Sequence, residues 1–175
     1  MRLVLIRHGE AMPLPQASAL DASADARRSL TARGRGDLQD TVSRYLLRRP
    51  AVNSASTAPT AATVSLLVSP YVRAQQTGEI VVGLLDTDGR SFTRTSCAEL
   101  TPDASPARLL RLLAEFEEQG HGEIWLLGHN PLLTILLGLL LDGAELTQPP
   151  LATAELVELE LNYAALGCAA LTYRL

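Results

Sequence analysis

The chain has 175 residues and a formal net charge of -4, a length that fits a single domain over residues 1–175. Hydrophobic residues make up 47% and charged residues 19%, which is typical of a folded globular protein and excludes a disordered one. The acidic balance gives no overall positive field that would attract nucleic acid or an anionic membrane. All 15 cationic residues are arginines, which excludes a lysine Schiff base and a P-loop lysine.

Short apolar runs alternate with stretches of helical periodicity along the chain. In chain order the predicted elements are a strand over residues 2–6, a helix over 31–48, a strand over 64–68, a helix over 72–85, a strand over 91–94, a helix over 106–118, a strand over 123–127, a helix over 131–141, and two strands over 154–161 and 169–174. This alternation predicts a three-layer α/β/α sandwich with a mostly parallel central sheet.

Two of the helices carry recognisable start signals. Thr31 is a predicted N-cap for the first helix, and Ser105 followed by Pro106 predicts the start of the third. The first helix has four apolar residues at helical spacing, namely Leu38, Val42, Tyr45 and Leu46. We expect this apolar face to lie against the sheet.

Two segments show no periodicity. Residues 12–28 are rich in Pro, Ala, Ser and Asp, and loops of that length in a compact domain are usually functional or mobile. Residues 50–63 are a low-complexity run of Ala, Ser, Thr and Pro, and we interpret them as a loop insertion without a chemical role.

Compartment and membrane association are constrained by the cysteines and by the longest apolar run. Cys97 and Cys168 form no CxxC pair and no secretory leader is recognisable, so we expect a cytoplasmic, reduced protein with inert cysteines. The apolar run over residues 131–141 is too short to span a bilayer and predicts a buried helix.

Polar functional groups follow three of the predicted strands. They are Arg7-His8-Gly9, Ser69-Pro70-Tyr71-Val72-Arg73 and Gly128-His129-Asn130. Parallel strands bring their carboxyl ends to one edge of the sheet, so we expect these groups to converge although they are far apart in sequence. Guanidinium groups match phosphate oxygens geometrically, and two imidazoles would offer one nucleophile and one further donor. The pattern predicts a site for a phosphoryl group.

The order of these motifs, with Leu30-Thr31-Ala32-Arg33-Gly34 and Ala74-Gln75-Gln76-Thr77, resembles the histidine phosphatase (phosphoglycerate mutase-like) superfamily. The short chain, the Glu99-Leu100-Thr101-Pro102 stretch and the arginine ahead of Leu30-Thr31 are similar to its small SixA-type branch of phosphohistidine phosphatases. Each motif alone is weak, but together and in order, each after a strand, they cover nearly the whole chain. The resemblance implies a phosphoglycerate mutase-like fold and a phosphatase that needs no metal and no cofactor.

The resemblance also implies a role for each matched residue. His8 would attack phosphorus and become a phosphohistidine, while Arg7 and Arg73 would hold phosphoryl oxygens and His129 would complete the pocket. Arg28 is a candidate third cation at the mouth of the pocket. A loose phosphoryl-transfer transition state needs positioning and charge stabilisation, which this set supplies. The arginines should also favour the uncharged, nucleophilic form of His8.

The general acid is the one role without a clear candidate. Many relatives carry a glutamate in an inserted segment after the third strand, and here Glu99 is the nearest candidate, with Asp103 a poorer one. The SixA-type branch is thought to depend less on such an acid, because imidazole leaves a phosphoramidate far more easily than an alkoxide leaves an ester. Ala11, Met12 and Pro13, which follow the first motif, offer little to grip a sugar phosphate.

These observations predict a histidine-nucleophile phosphatase whose substrate is phosphohistidine on a protein, such as a phosphotransfer domain. Two alternatives stay open at this stage. The same site could hydrolyse small phosphomonoesters, or the chain could be a non-catalytic phosphate- or phosphoprotein-binding module. Neither a nucleic acid nor a membrane is an expected partner.

Overall fold

The computed structural model describes residues 1–14, 22–49 and 63–175. Its strands are β1 (Arg2–Arg7), β2 (Val64–Val68), β3 (Phe92–Ser96), β4 (Glu123–Gly128), β5 (Leu156–Leu161) and β6 (Ala169–Arg174). Its helices are α1 (Ala22–Ala26), α2 (Ala32–Arg48), α3 (Val72–Thr87), α4 (Pro106–Glu118) and α5 (Leu132–Asp142), with a 3-10 turn at Ala98–Leu100. The predicted loop insertion over 50–63 lies, apart from residue 63, outside the described residues.

One six-stranded sheet forms the middle layer, in the order β3-β2-β4-β1-β5-β6. Strands β1 to β4 are mutually parallel, whereas β5 runs antiparallel to β1 and β6 antiparallel to β5. The register pairs Arg7 with Gly128 and Val68 with Leu127, so β1, β2 and β4 end at the same level. The predicted mostly parallel sheet is therefore confirmed, and the residues that follow these three strands lie side by side.

The sheet separates two apolar cores, because alternate residues of each strand point to opposite faces. In β1, Leu3 and Leu5 belong to the core shared with α4 and α5, while Val4 and Ile6 belong to the core shared with α2 and α3. The four apolar residues predicted for the face of α2 are all in the second core: Leu38, Val42, Tyr45 and Leu46. Helices thus cover both faces of the sheet, as the three-layer prediction requires.

Helix α2 lies against the end of β1 through two glycines. A Cβ atom added to Gly9 would lie 2.4 Å from the backbone oxygen of Gly34, and one added to Gly34 would lie 2.3 Å from the backbone oxygen of Glu10. Neither position has room for a side chain. The predicted cap is confirmed as well, since the Thr31 hydroxyl accepts a hydrogen bond from the Gly34 amide at 2.9 Å.

The other end of α2 is tied to the sheet by ion pairs. Arg49, just after the helix, donates two hydrogen bonds of 2.5 and 2.8 Å to the Glu123 carboxylate at the start of β4. That carboxylate also accepts from the Trp125 indole at 2.7 Å and from Arg2 at 3.2 Å. Because Glu123 is buried, these partners offset the cost of removing its charge from water.

Several sequence predictions need correction in detail. Residues 12–28 are not irregular throughout, because residues 22–26 form α1, and residues 15–21 lie outside the described part. The Ser105 side chain makes no capping hydrogen bond, although Pro106 does occupy the first turn of α4. A helix as short as α1 has too few residues to show a period, which is why sequence periodicity missed it. The remaining elements differ from prediction by a few residues at their ends.

The residues that flank the segment carrying α1 pair with each other beside the end of β1. Ala11 forms an isolated antiparallel bridge with Leu30, the Met12 amide donates to the Ser29 carbonyl oxygen at 2.8 Å, and the Thr31 amide donates to Glu10 at 2.9 Å. Its two ends are therefore held together beside the end of β1. No helix in the described ranges is long and apolar enough to cross a bilayer.

We predict opposite stability changes for two alanine substitutions within α2. Gly34→Ala places a methyl group against the Glu10 backbone, and such overpacking typically costs about 1–3 kcal/mol of unfolding free energy. Gly36→Ala meets no atom within 4 Å, so it should stabilise the helix by about 0.5–1 kcal/mol. Chemical denaturation of both variants measures the difference. Equal effects of the two substitutions would contradict the close approach of α2 to β1.

Candidate active site

Four residues predicted to converge line one cleft at the carboxyl ends of β1, β2 and β4, namely Arg7, His8, Arg73 and His129. The cleft has a volume of about 370 Å³ and is lined by Arg7, His8, Glu10, Ala11, Asp25, Arg28, Arg73, Pro102, His129, Asn130 and Thr153. Backbone hydrogen bonds continue the sheet ladders into it: the His8 amide donates to Gly128 at 3.1 Å and the Ser69 amide to Leu127 at 3.0 Å. The sheet therefore fixes the backbone of His8, directly after β1, and of Ser69, directly after β2.

The His8 imidazole is 8% exposed as a residue and is held from both of its nitrogen atoms. Nδ1 lies 2.7 Å from the Gly9 carbonyl oxygen, which accepts only, so Nδ1 carries the proton. Nε2 accepts a hydrogen bond of 3.0 Å from Nε of Arg73 and therefore carries the lone pair. Burial, with Arg73, Arg7 and Arg28 nearby, lowers the pKa of His8 from 6.5 to about 4, although the Gly9 contact opposes the shift. His8 is thus uncharged at neutral pH.

The Arg73 guanidinium is almost fully buried and divides its donors between His8 and one residue of α1. While Nε donates to His8, Nη1 donates to the backbone oxygen of Asp25 at 2.6 Å and Nη2 to its carboxylate at 2.9 Å. Three protein acceptors in fixed directions orient the planar group. Arg73 therefore lies against the nucleophile candidate in a single defined pose.

Asp25 is the site residue that sequence analysis missed. Its second carboxylate oxygen accepts from Arg28 at 2.9 Å, so one carboxylate bridges two cations of the cleft. Burial disfavours the Asp25 charge, but hydrogen bonds from Arg28 and Arg73 outweigh that effect and lower its pKa. In the sequence, the one signal for Asp25 is that it is an acidic residue three positions before Arg28. The structure also brings Arg28, the predicted third cation, to the cleft.

Arg7 is anchored by a loop between α5 and β5. Its Nη1 donates to the Leu151 carbonyl oxygen at 2.6 Å, and the same oxygen accepts from the Asn130 side chain at 2.9 Å. Burial and the nearby Arg73 charge lower the pKa of Arg7, with Glu155 acting in the opposite direction. An arginine stays cationic under such a shift, so Arg7 remains a positive group beside His8.

The His129 imidazole packs beside His8, with ring centroids 4.8 Å apart. Its Nε2 lies 2.8 Å from the Ser69 hydroxyl, while its Nδ1 is buried and has no hydrogen-bond partner. Burial, followed by the neighbouring His8 and Arg73, lowers the pKa of His129 from 6.5 to about 2. His129 is therefore a second uncharged imidazole in the cleft.

The structure does not bring Glu99 to this cleft. Glu99 lies in the 3-10 turn after β3 and lines a different depression with Arg108, Arg111, Leu112 and Glu115. Its carboxylate accepts a 3.5 Å hydrogen bond from the thiol of Cys97. The reason is topological, because β3 is the edge strand and is separated from β1 by β2 and β4. The predicted placement of Glu99 beside His8 is thus corrected.

The resulting arrangement suits a tetrahedral anion. The three guanidiniums and the two carboxylates, Asp25 and Glu10, that line the cleft leave a formal excess of one positive charge, while both histidines stay neutral. Among the described residues, two buried side-chain nitrogens lack hydrogen-bond partners, Nε of Arg7 and Nδ1 of His129, and both belong to this cleft. Buried polar atoms are normally paired, so these two atoms mark the cleft as a binding site for a polar ligand. No cluster of three metal-binding side chains occurs in the described ranges.

Comparison with known proteins bears on the fold. No family model and no curated protein matches the sequence. Solved structures do match over almost the whole chain, and they include phosphoglycerate mutase from Bacillus anthracis, with 14% identity, a TM-score of 0.59, and coverage of 98% of this chain and 91% of that one. The predicted phosphoglycerate mutase-like fold is thereby confirmed.

Two other solved structures match with higher TM-scores. The protein histidine phosphatase SixA in complex with tungstate is 24% identical, with a TM-score of 0.77 and coverage of 100% of this chain and 96% of that one. A provisionally named phosphohistidine phosphatase SixA from Agrobacterium tumefaciens is 19% identical, with a TM-score of 0.71 and coverage of 99% and 97%. At these identities the likeness concerns the fold.

The lowered histidine pKa values predict how stability depends on pH. The pKa values of His8 and His129 are lower in the folded protein than in the unfolded chain, so the unfolded chain binds more protons below pH 6.5. The contribution of these residues to the free energy of unfolding is therefore present above pH 6.5 and is lost as the pH drops toward about 4. Each buried histidine contributes about 1.4 kcal/mol per pH unit in that window. In His129→Asn the free energy of unfolding should therefore decrease less steeply with falling pH than in the wild type. Urea denaturation between pH 4.5 and 8 measures both slopes.

Parallel curves for wild type and His129→Asn across that range would contradict the assignment of His129 as buried and neutral. The two slopes should coincide above pH 7, where neither state of the protein gains a histidine proton.

Proposed function

We propose that this protein is a phosphatase that uses His8 as its nucleophile. The observation that carries the proposal is the fixed tautomer of His8, with its proton on Nδ1 and its lone pair on Nε2, next to Arg73 and Arg7. A neutral imidazole with a directed lone pair is ready to attack phosphorus, and no base is needed to remove a proton from Nε2. The surrounding guanidiniums supply the charge stabilisation that phosphoryl transfer requires.

The reaction has two steps, phosphoryl transfer to His8 and hydrolysis of the resulting phosphohistidine. In the first, Nε2 of His8 forms a bond to phosphorus while the bond from phosphorus to the leaving group breaks, and the leaving group takes its electron pair and a proton from solvent. In the second, water attacks the phosphohistidine, the Nε2–phosphorus bond breaks, and inorganic phosphate and neutral His8 are regenerated. The hydrogen bond from Arg73 to Nε2 gives way as phosphorus approaches, which frees that N–H for a phosphoryl oxygen.

The substrate that we propose is phosphohistidine, because the described residues of the cleft include no carboxylic acid suited to protonate a leaving alkoxide. Of its two lining carboxylates, Asp25 is held ionised by Arg28 and Arg73, and Glu10 accepts a 2.6 Å hydrogen bond from the Thr31 hydroxyl. A phosphorylated imidazole leaves without such an acid at the bridging atom. Its second ring nitrogen can take a proton from water, since imidazole titrates near neutral pH.

A protein-borne substrate fits the rim of the cleft. Ala11 lies at the cleft, and the adjacent Met12 is 49% exposed. These small or apolar residues provide no hydroxyl or amide groups for a sugar, whereas they can lie against the surface of a partner protein. Cys97 and Cys168 are both unpaired thiols, which is typical of a reducing compartment, so we place the reaction in the cytoplasm.

Two other functions would use the same residues. Hydrolysis of small phosphomonoesters would employ the same nucleophile and cations, with the leaving oxygen protonated by solvent. A binding module without turnover would need the guanidiniums but would have no use for the directed Nε2 lone pair of His8.

We predict a trapped phosphoenzyme on His8. Brief incubation with a ³²P-labelled phosphohistidine protein, followed by rapid alkaline denaturation, should leave acid-labile, alkali-stable label on the wild type. His8→Ala should carry none, because the attacking nitrogen is gone. His121→Gln, which changes a histidine outside the cleft, should label like the wild type. Absence of label in the wild type, or equal label in His8→Ala, would refute the mechanism.

We also predict a preference among leaving groups. Initial rates should be at least about 100-fold higher on a phosphohistidine protein than on a panel of sugar phosphates, since general acid catalysis is worth about 10²–10⁴-fold for poor leaving groups. Aryl phosphates, with better leaving groups, should fall between the two. Equal or faster hydrolysis of sugar phosphates would favour the small-phosphomonoester function instead.

A further inference from the structure

The contact between Ser69 and His129 bears on which ring nitrogen of His129 carries the proton. Ser69 follows β2, is completely buried, and places its hydroxyl oxygen 2.8 Å from Nε2 of His129. The same oxygen lies 3.4 Å from the Tyr71 amide, which can only donate. A hydroxyl has one proton to give and two lone pairs to offer, so its partners decide which tautomer the ring adopts.

Two arrangements of protons are possible for a neutral ring. If Nε2–H of His129 donated to Ser69, the hydroxyl would accept from both His129 and Tyr71, and its own proton would have no acceptor among the described hydrogen bonds. A buried donor without a partner is costly. This first arrangement leaves both Nδ1 of His129 and the Ser69 proton unpaired. If instead the Ser69 hydroxyl donates to Nε2 and accepts from Tyr71, these three atoms are satisfied, and Nδ1 of His129 is the one polar atom of the group left without a partner. The proton of His129 then resides on Nδ1.

This second arrangement explains the unpaired nitrogen of His129. Nδ1 is buried and has no partner, while His129 lines the cleft and its ring lies 4.8 Å from that of His8. As an N–H donor, Nδ1 has no acceptor among the described residues and would gain one from an oxygen of the phosphoryl group. The nearby guanidiniums make a charged imidazolium unfavourable here, so a neutral donor is the form that the cleft can keep.

We infer that Ser69 is a positioning residue that holds His129 as the Nδ1–H tautomer, so that Nδ1 donates a hydrogen bond to the phosphoryl group at His8. The inference rests on the proposed function for the identity of the acceptor. The tautomer itself does not depend on catalysis, and this separates the two claims experimentally. Ser69 acts through His129 and makes no bond to the substrate.

The test uses uniformly ¹⁵N-labelled full-length protein at neutral pH. Long-range ¹H–¹⁵N correlation spectra of the imidazole rings report which nitrogen of His129 is protonated, and calorimetry with inorganic tungstate, a tetrahedral oxyanion, reports anion affinity. We expect Nδ1–H in the wild type. In Ser69→Ala we expect a shift of the population toward Nε2–H and about a tenfold loss of tungstate affinity, the order expected for one lost neutral donor.

Two further variants separate tautomer control from general damage. Ser69→Thr retains the hydroxyl and should retain Nδ1–H and most of the affinity. Ser65→Ala is the matched control, because Ser65 is also a buried serine on β2 and lies 2.7 Å from a ring nitrogen of His121, outside the cleft. This control should leave both the His129 tautomer and tungstate affinity unchanged.

The outcomes decide the inference in either direction. A wild type with the His129 proton on Nε2 overturns it without recourse to any variant, and so does a Ser69→Ala protein that keeps both the Nδ1–H tautomer and wild-type affinity. Equal loss of affinity in Ser65→Ala also counts against it. A wild type with Nδ1–H that forms no phosphoenzyme would remove the proposed phosphatase function and leave the tautomer assignment intact.

Discussion

The hydrogen bond between Nδ1 of His8 and the carbonyl oxygen of Gly9 is the interaction on which the cleft depends. A carbonyl oxygen only accepts, so this one contact decides which nitrogen keeps a lone pair for chemistry. Gly9 is also the residue on which Gly34 of α2 packs without room for a side chain. The backbone that sets the tautomer of His8 is therefore the same backbone that joins the first strand to its covering helix.

The cleft keeps its positive charge on groups that do not titrate near neutral pH. Guanidiniums carry the charge, while burial and those same guanidiniums lower the pKa values of His8 and His129. One carboxylate, Asp25, partly offsets the repulsion between Arg28 and Arg73 and orients the latter toward His8. Positive charge and a directed nitrogen lone pair are thus carried by different side chains of the cleft.

The fold and the centre of the cleft could be predicted because both follow from strand periodicity. Arg7 ends β1, and His8 and His129 directly follow β1 and β4, so parallel pairing alone brings them together. Asp25 could not be predicted, since its contacts arise only when a five-residue helix folds back onto α3. Glu99 was misplaced because its distance from His8 depends on strand order, and the local pattern after β3 carries no information on that order.

The bridge between Ala11 and Leu30 has a consequence for how this protein can change. The described part of the chain between these residues carries Asp25 and Arg28, which line the cleft, and Asp25 also binds Arg73 of α3. Sequence changes here would alter the charge at the mouth of the cleft and the contacts of Arg73, whereas the backbone of His8 is hydrogen-bonded to the end of β4 and would keep its place. We therefore expect this segment to be the part of the protein through which the preference of the cleft can change while the sheet stays the same.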